Sequence, residues 1–202
     1  MKLYYSPGAC SLSVHIALRE TGRSFETVKV DLAKHRTADG ADYYEISPRG
    51  YVPLLELDDG SRHTEAGSLL QYIADLDPSQ ALIGAPASAR RLAVVEGVTF
   101  VGTELHKVFS PWLWHKETAD STRQAVKDKL EARFKELDAL FAKQDHLAGE
   151  FSIADIYAFT ILNWTNFLGM SLAAYPKLQA YLQRVSQRPA VQAALKVEGL
   201  LK

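Results

Sequence analysis

The order of local patterns constrains this chain most: strand-like and helix-like segments alternate from Lys2 to Leu76, and beyond them only helical periodicity remains. Lys2 to Tyr5 is short, apolar and aromatic and stops at Pro7-Gly8, which predicts a strand closed by a turn. Ser11 to Thr21 carries Leu12, Val14, Ile16, Ala17 and Leu18 and meets Gly22, a helix with its stop. Phe25 to Val30 predicts a second strand. Asp31 to Arg49 is polar, punctuated by Gly40 and Pro48, and reads as a loop with at most a short helix. Val52-Pro53 leads into Leu54-Leu55-Glu56-Leu57. The Asp58-Asp59-Gly60 turn before Ser61 to Thr64 predicts a hairpin, and Ala66 to Leu76 another helix. The expectation is an α/β amino-terminal domain over residues 1–77, built βαβ then ββα. A Pro- and Gly-containing linker over 78–87 follows, then an all-α domain over 88–202.

In the helical half, Leu92, Val95, Val98, Leu105 and Phe109 recur at helical spacing, with Thr99, Thr103 and His106 along one edge of that stripe. Val126, Leu130, Phe134, Leu137 and Phe141 alternate with charged residues over Arg123 to Lys143, as an amphipathic surface helix requires. Ser152-Ile153-Ala154-Asp155 predicts a capping box, with Phe151 and Ile156 spaced as a hydrophobic staple. Ile153 to Leu168 is the most apolar stretch. Asp155, Thr160, Asn163 and Asn166 interrupt it, so it reads as a buried helix and not as a membrane span.

Composition narrows the partners. Twenty-three Lys plus Arg balance 24 Asp plus Glu, which leaves no global field to gather nucleic acid or anionic lipid. The opening Met1 to Gly8 lacks a charged leader followed by a long apolar run, and one cysteine permits no internal disulfide, so a reducing cytoplasm is expected. The six histidines show no HExxH-like spacing, and no metal centre is expected.

Cys10 stands between the Pro7-Gly8 turn and a helix start, where unpaired N–H groups favour a thiolate; by position alone it reads equally as a small buried residue. His106 reads either as a donor to a thiolate or as a structural residue at the edge of a core. Thr64 to Ser68 ends a hairpin and opens a helix, so backbone N–H groups there suit a carboxylate and Glu65 an ammonium, or else Glu65 compensates the helix dipole. Val52-Pro53 ahead of a strand is where such a fold can pair its backbone with an extended peptide. Tyr5 and Ser11 are further thiolate donors, with packing and helix capping as their plainer readings. Trp112, Trp114, Trp164 and Phe167 suit the wall of an apolar pocket, or a core.

Taken together, Tyr5-Ser6-Pro7-Gly8-Ala9-Cys10-Ser11-Leu12, Pro48-Arg49-Gly50-Tyr51-Val52-Pro53, Thr64-Glu65, Thr103-Glu104-Leu105-His106-Lys107 and Phe151-Ser152-Ile153-Ala154-Asp155 resemble the bacterial beta-class glutathione transferases over essentially the whole chain. That resemblance implies a thioredoxin-like domain followed by a helical one. It implies glutathione as co-substrate, no metal, small hydrophobic electrophiles as second substrates, and a homodimer. Cys10 would adjoin the glutathione sulfur, His106 would assist it, Val52 would pair with the peptide, and Glu65 and Ala66 would bind the γ-glutamyl end. Thr99, Thr103 and Glu104, with Leu105 beside them, would approach glutathione held by the other subunit. Three positions depart from the family. His35 stands where relatives often carry a lysine that contacts the glycine carboxylate, Ala66 lacks the hydroxyl found in many relatives, and Thr99 stands where some relatives carry asparagine. Conjugation is the first expected function. Thiol-disulfide reductase or peroxidase chemistry on Cys10 is the alternative, and a non-catalytic carrier of apolar ligands is the second.

Overall fold

The computed structural model describes residues 1–201, in two compact units. The first spans residues 1–80 and takes back the tail from Arg188 onward; the second spans Ala81–Gln187.

In the first unit, β1 (Lys2–Tyr5), α1 (Ser11–Glu20) and β2 (Glu26–Asp31) form the expected βαβ, with β1 and β2 parallel and Leu3 opposite Thr27. β4 (Leu54–Glu56) pairs antiparallel with the other edge of β1, Leu3 facing Leu55, and β5 (Arg62–His63) closes the hairpin. The stretch read as loop holds one more strand, β3 (Arg36–Thr37), so the sheet order is β3-β2-β1-β4-β5. A two-residue strand leaves no period-2 signal; backbone pairing with β2, not side-chain burial, defines it. A 3₁₀ turn, Tyr43–Glu45, is the short helix of that loop.

α1 buries every residue from Ser11 to Leu18, because it packs between α2 (Ala66–Asp75) and α9 (Pro189–Val197). A second small core of Tyr4, Val30, Tyr43, Val52 and Leu54 seats the segment ahead of β4. Tyr43 is wholly buried there and donates its hydroxyl to the Tyr51 carbonyl at 2.9 Å. Burial pushes its phenol up to about 12.

The return of the tail differs from the expected boundary at residue 88. α9 carries a regular amphipathic pattern that says nothing of which unit it covers, and its apolar face goes to α1. Nor is the expected linker free chain. Leu82 and Ile83 are buried in the second unit, where the Leu82 carbonyl accepts the Ile153 N–H at 3.0 Å.

The second unit contains α3 (Ala89–Phe100), a π-helical segment (Val101–His106), α4 (Lys107–Phe109), α5 (Asp120–Phe141), α6 (Ile153–Leu162), α7 (Trp164–Phe167) and α8 (Pro176–Ser186). Every residue of α6 is buried. Its polar residues are satisfied within the fold. The Asp155 carboxylate accepts the N–H groups of Ser152 and Leu147, each at 2.9 Å, and the Tyr181 hydroxyl at 3.1 Å, while Thr160 bonds back to the Ile156 carbonyl. The capping box is present as expected. The apolar run breaks at Asn163, which caps α6 and starts α7. No helix among the described residues is long and apolar enough to cross a membrane.

The stripe along α3 matches the expected one at Val98, Leu105 and Phe109 and departs from it before them. Leu92 is 70% exposed, and the buried line is Val94, Val98, Val101 and Leu105, reaching Phe109. Gly97 belongs to the same contact: a Cβ there would lie 2.9 Å from that of Ala154 on α6. Only the absence of a side chain lets the two backbones approach.

Candidate active site

Cys10 is the N-cap of α1, half-buried at the end of the Ser6–Cys10 loop. Two devices hold that loop. The Ser11 hydroxyl, fully buried, accepts the Ser6 N–H at 3.2 Å and donates to the Ser6 carbonyl at 3.3 Å, so it closes the loop from inside. The Gly8 N–H donates at 2.9 Å to a carboxylate oxygen of Glu198, which arrives from the C-cap of α9. Gly8 itself has φ of +72°, a conformation that excludes most other residues.

Glu198 heads a buried chain. Its other oxygen lies 2.9 Å from His15 Nδ1, and Arg19 Nε–H donates to His15 Nε2 at 3.0 Å. Since Arg19 can only donate, His15 must carry its proton on Nδ1 and give it to Glu198. Both side chains are sealed from solvent. Neither residue stood out in the sequence as functional. An acid at a helix C-cap, where the dipole disfavours it, and a histidine inside an apolar helix face were the available signs.

Beside the helix mouth lies the Val52–Pro53 peptide, which is cis. The Cys10 thiol donates to the Val52 carbonyl at 3.3 Å. The structure therefore brings together the thiol and the backbone position expected to pair with a peptide. Tyr5, by contrast, is buried against His15, with ring centroids 5.9 Å apart. Burial first and Glu198 second raise its phenol above the ordinary value, which suits a packed aromatic.

At the start of α2, Glu65 adopts φ of +68°, which is strained for a residue with a side chain, and its carboxylate makes no capping hydrogen bond to the helix. Its carboxylate is exposed and meets Arg49 at 3.1 Å, a surface pair worth little and open to exchange. Ala66 is buried and begins the helix. His35 also has positive φ, +48°, and its ring stacks on Tyr44 at 4.3 Å. Its Nδ1 is buried and makes no hydrogen bond among the described residues.

In the second unit, the π-helical segment carries Thr103, Glu104, Leu105 and His106. Wider turns of this kind recur at functional sites because they rotate side chains off the α-helical register. Thr103 on this turn and Thr99 just ahead of it, at the end of α3, are both exposed, each hydroxyl bonded to the carbonyl four residues back. Leu105 is fully buried, so only its backbone can meet a ligand. Glu104 is engaged by Arg133 at 2.9 Å and Lys129 at 3.3 Å, and these cations hold its carboxyl below the ordinary value. His106 ends this segment. Trp164 meets it edge-on at 5.1 Å, Tyr157 lies perpendicular at 5.8 Å, and the Tyr157 hydroxyl is 2.6 Å from His106 Nδ1. Burial, then the neighbouring Lys107 charge, pushes its pKa down to about 4. Of the four aromatics proposed for a wall, Trp164 is core, while Trp112, Trp114 and Phe167 are exposed. Among the described residues no cluster of His, Cys, Asp and Glu could hold a metal ion.

A five-stranded sheet with a cysteine at the mouth of its first helix and a cis-proline edge beside it defines a thioredoxin-like thiol protein. Comparisons with known proteins narrow the class. Residues 8–76 match the model for the N-terminal domain of glutathione S-transferases, and residues 100–189 that for the C-terminal domain. The chain is 40% identical to glutathione S-transferase GstA of Escherichia coli O157:H7, covering 99% of this chain and all of that one. A sphingomonad glutathione S-transferase solved with glutathione shares 47% identity at a TM-score of 0.93, and the beta-class enzyme of Sphingomonas chungbukensis 44% at 0.94, each covering 100% of both chains. The chain belongs to the glutathione S-transferase family, in its bacterial beta class.

Proposed function

We propose that this protein conjugates reduced glutathione to small hydrophobic electrophiles. The carrying observation is the pairing of Cys10 with the Val52 carbonyl, 3.3 Å apart at the mouth of α1: one spot offers a thiol environment and a strand edge to a cysteine-containing peptide. The sphingomonad relative that binds glutathione supports the choice of peptide. In this reading Val52 takes the backbone of glutathione, Glu65 and the Ala66 N–H take its γ-glutamyl end, and His35 meets its glycine carboxylate. His106 serves its thiol. Thr99, Thr103 and Glu104 act toward the second subunit of a homodimer, and the protein works in the cytoplasm. The bound thiol loses its proton to solvent, and its sulfur attacks an electrophilic carbon, displacing the leaving group or adding to the double bond.

The half-buried position of Cys10 favours a second reading, in which the Cys10 thiolate attacks the glutathione sulfur of a mixed disulfide and expels the other thiol, and a free glutathione thiolate then attacks the Cys10–glutathione disulfide, leaving as oxidised glutathione and restoring the Cys10 thiolate. Purified protein assayed with an activated aryl halide should show a glutathione-dependent rate well above background, and Cys10→Ala should retain part of it. A disulfide substrate assayed in parallel should lose all turnover in Cys10→Ala. No glutathione-dependent rate in either assay overturns both readings.

A further inference from the structure

His106 carries one proton between two ring nitrogens, and which nitrogen holds it decides whether the ring offers a donor or an acceptor outward. We propose that the Tyr157 hydroxyl donates to His106 Nδ1 and so fixes the imidazole as its Nε2–H form, which makes Tyr157 the positioning residue for His106. The inference rests on the reading of His106 given above for its consequence, though not for its geometry.

Three observations carry it. The contact is short, 2.6 Å between Tyr157 Oη and His106 Nδ1, as expected for a phenol giving its proton to an imidazole lone pair. A phenol is a far stronger acid than the neutral imidazole N–H and a weaker base than imidazole nitrogen, so the pair is best satisfied with oxygen as donor. Next, both partners are held. Tyr157 lies on α6, where every residue is buried, and it is itself 4% exposed; the π-helical turn presents His106 to it, with Gly102 of that turn passing over the tyrosine hydroxyl. A Cβ on Gly102 would sit 3.9 Å from that oxygen. Trp164, edge-on to the imidazole and 5% exposed, blocks rotation of the ring toward the core. Last, Nε2 has no hydrogen-bond partner among the described residues, so the proton placed there by Tyr157 is not spent on another group of the fold.

The consequence is a donor fixed in place. Because the ring is held neutral, His106 does not bring a positive charge to a thiolate; it brings one N–H whose direction Tyr157 sets. Were the proton on Nδ1, the outward nitrogen would offer a lone pair and repel a thiolate.

The tautomer is read directly by long-range proton–nitrogen NMR on protein labelled with nitrogen-15 histidine, the His106 signals being assigned by their loss in His106→Asn. In the wild type near neutral pH, Nδ1 should appear as an unprotonated, hydrogen-bonded nitrogen and Nε2 as protonated. Tyr157→Phe, which keeps the ring packing, should shift His106 to a mixture of forms. It should lower kcat for conjugation roughly three- to tenfold, with the KM for glutathione little changed, as loss of one hydrogen bond predicts. A protonated Nδ1 in the wild type overturns the proposal, as does a His106 spectrum that Tyr157→Phe leaves unaltered. Since the spectrum is taken without ligand, the expected tautomer together with no glutathione-dependent turnover would count against the proposed function and leave the positioning intact.

Discussion

Replacing Glu198 with Ala should unfold the first unit more readily than any single surface change. The substitution removes the acceptor for the Gly8 N–H and for His15 Nδ1–H at once, and both groups stay buried away from solvent. A buried donor left unmatched costs ~1–3 kcal/mol, and Arg19 also loses the anion it faces through His15, so the total falls at ~3–5 kcal/mol, the usual range for breaking a buried charged network. For a chain of this size that corresponds to a fall in Tm of roughly 6–20 °C. Glu198→Gln is the sharper probe, since it preserves volume. Its amide oxygen can accept from only one of the two donors, and its NH₂ then confronts the other. If His15 turned its proton to Nε2 to relieve this, that proton would face Arg19 Nε–H. The expected loss is ~1–3 kcal/mol. Urea unfolding followed by circular dichroism measures both, and alkylation of Cys10 by a small thiol reagent reports whether its loop has moved. A loss under ~1 kcal/mol for Glu198→Ala, with Cys10 reacting as before, would refute the view that this carboxylate holds the loop.

Gly50→Ala should cost ~1–3 kcal/mol and weaken glutathione binding, because a Cβ there lies 2.8 Å from both His35 Nδ1 and a Tyr44 ring carbon at a φ of +66°; thermal unfolding and calorimetric titration with glutathione measure it. Asp155→Ala strands the Leu147 and Ser152 N–H groups and the Tyr181 hydroxyl, and should destabilise by ~3–5 kcal/mol in urea unfolding. The His106 pKa, lowered from 6.5 to about 4, makes the unfolded chain bind a proton that the fold refuses over that window. Its contribution is favourable above pH ~6.5, shrinks as pH falls toward ~4 and is flat below, a change of ~3 kcal/mol. Urea unfolding near pH 7 and near pH 4 should therefore show a smaller acid loss in His106→Asn than in wild type, and equal losses would contradict the burial of a neutral ring.

The alternation of strands and helices was legible because each element up to Leu76 has its own punctuation: Pro7-Gly8, Gly22, the Asp58-Asp59-Gly60 turn. The capping box at Ser152 was legible too, since its two residues, Ser152 and Asp155, are three apart in the chain. β3 was not, because its identity lies in a partner strand and not in its two residues. Along α3 the sequence periodicity pointed to Leu92 and Val95 where the core uses Val94 and Val101; the π-helical segment changes the residues per turn, and a pattern counted at 3.6 runs across it out of phase. Cys10 and Val52 could be singled out from turn chemistry and order, yet the hydrogen bond between them joins residues remote in the chain. Glu198, His15 and Tyr157 did not stand out for the same reason: each matters through a partner dozens of residues or more away, which the faint local signs at Glu198 and His15 do not name.

The helix returning from Arg188 onward has a consequence for how the chain is made. A ribosome delivers the sheet, α1 and α2 early, then more than a hundred residues of the second unit, and only afterwards the helix that covers α1 and the carboxylate that Gly8 binds. Until that moment the nascent thioredoxin-like unit shows an uncovered apolar flank and a slack cysteine loop. Competence at Cys10 thus waits for residues made more than a hundred positions after the sheet, and a ribosome stalled before Glu198 holds a unit that has its sheet but lacks the acceptor for its Gly8 N–H.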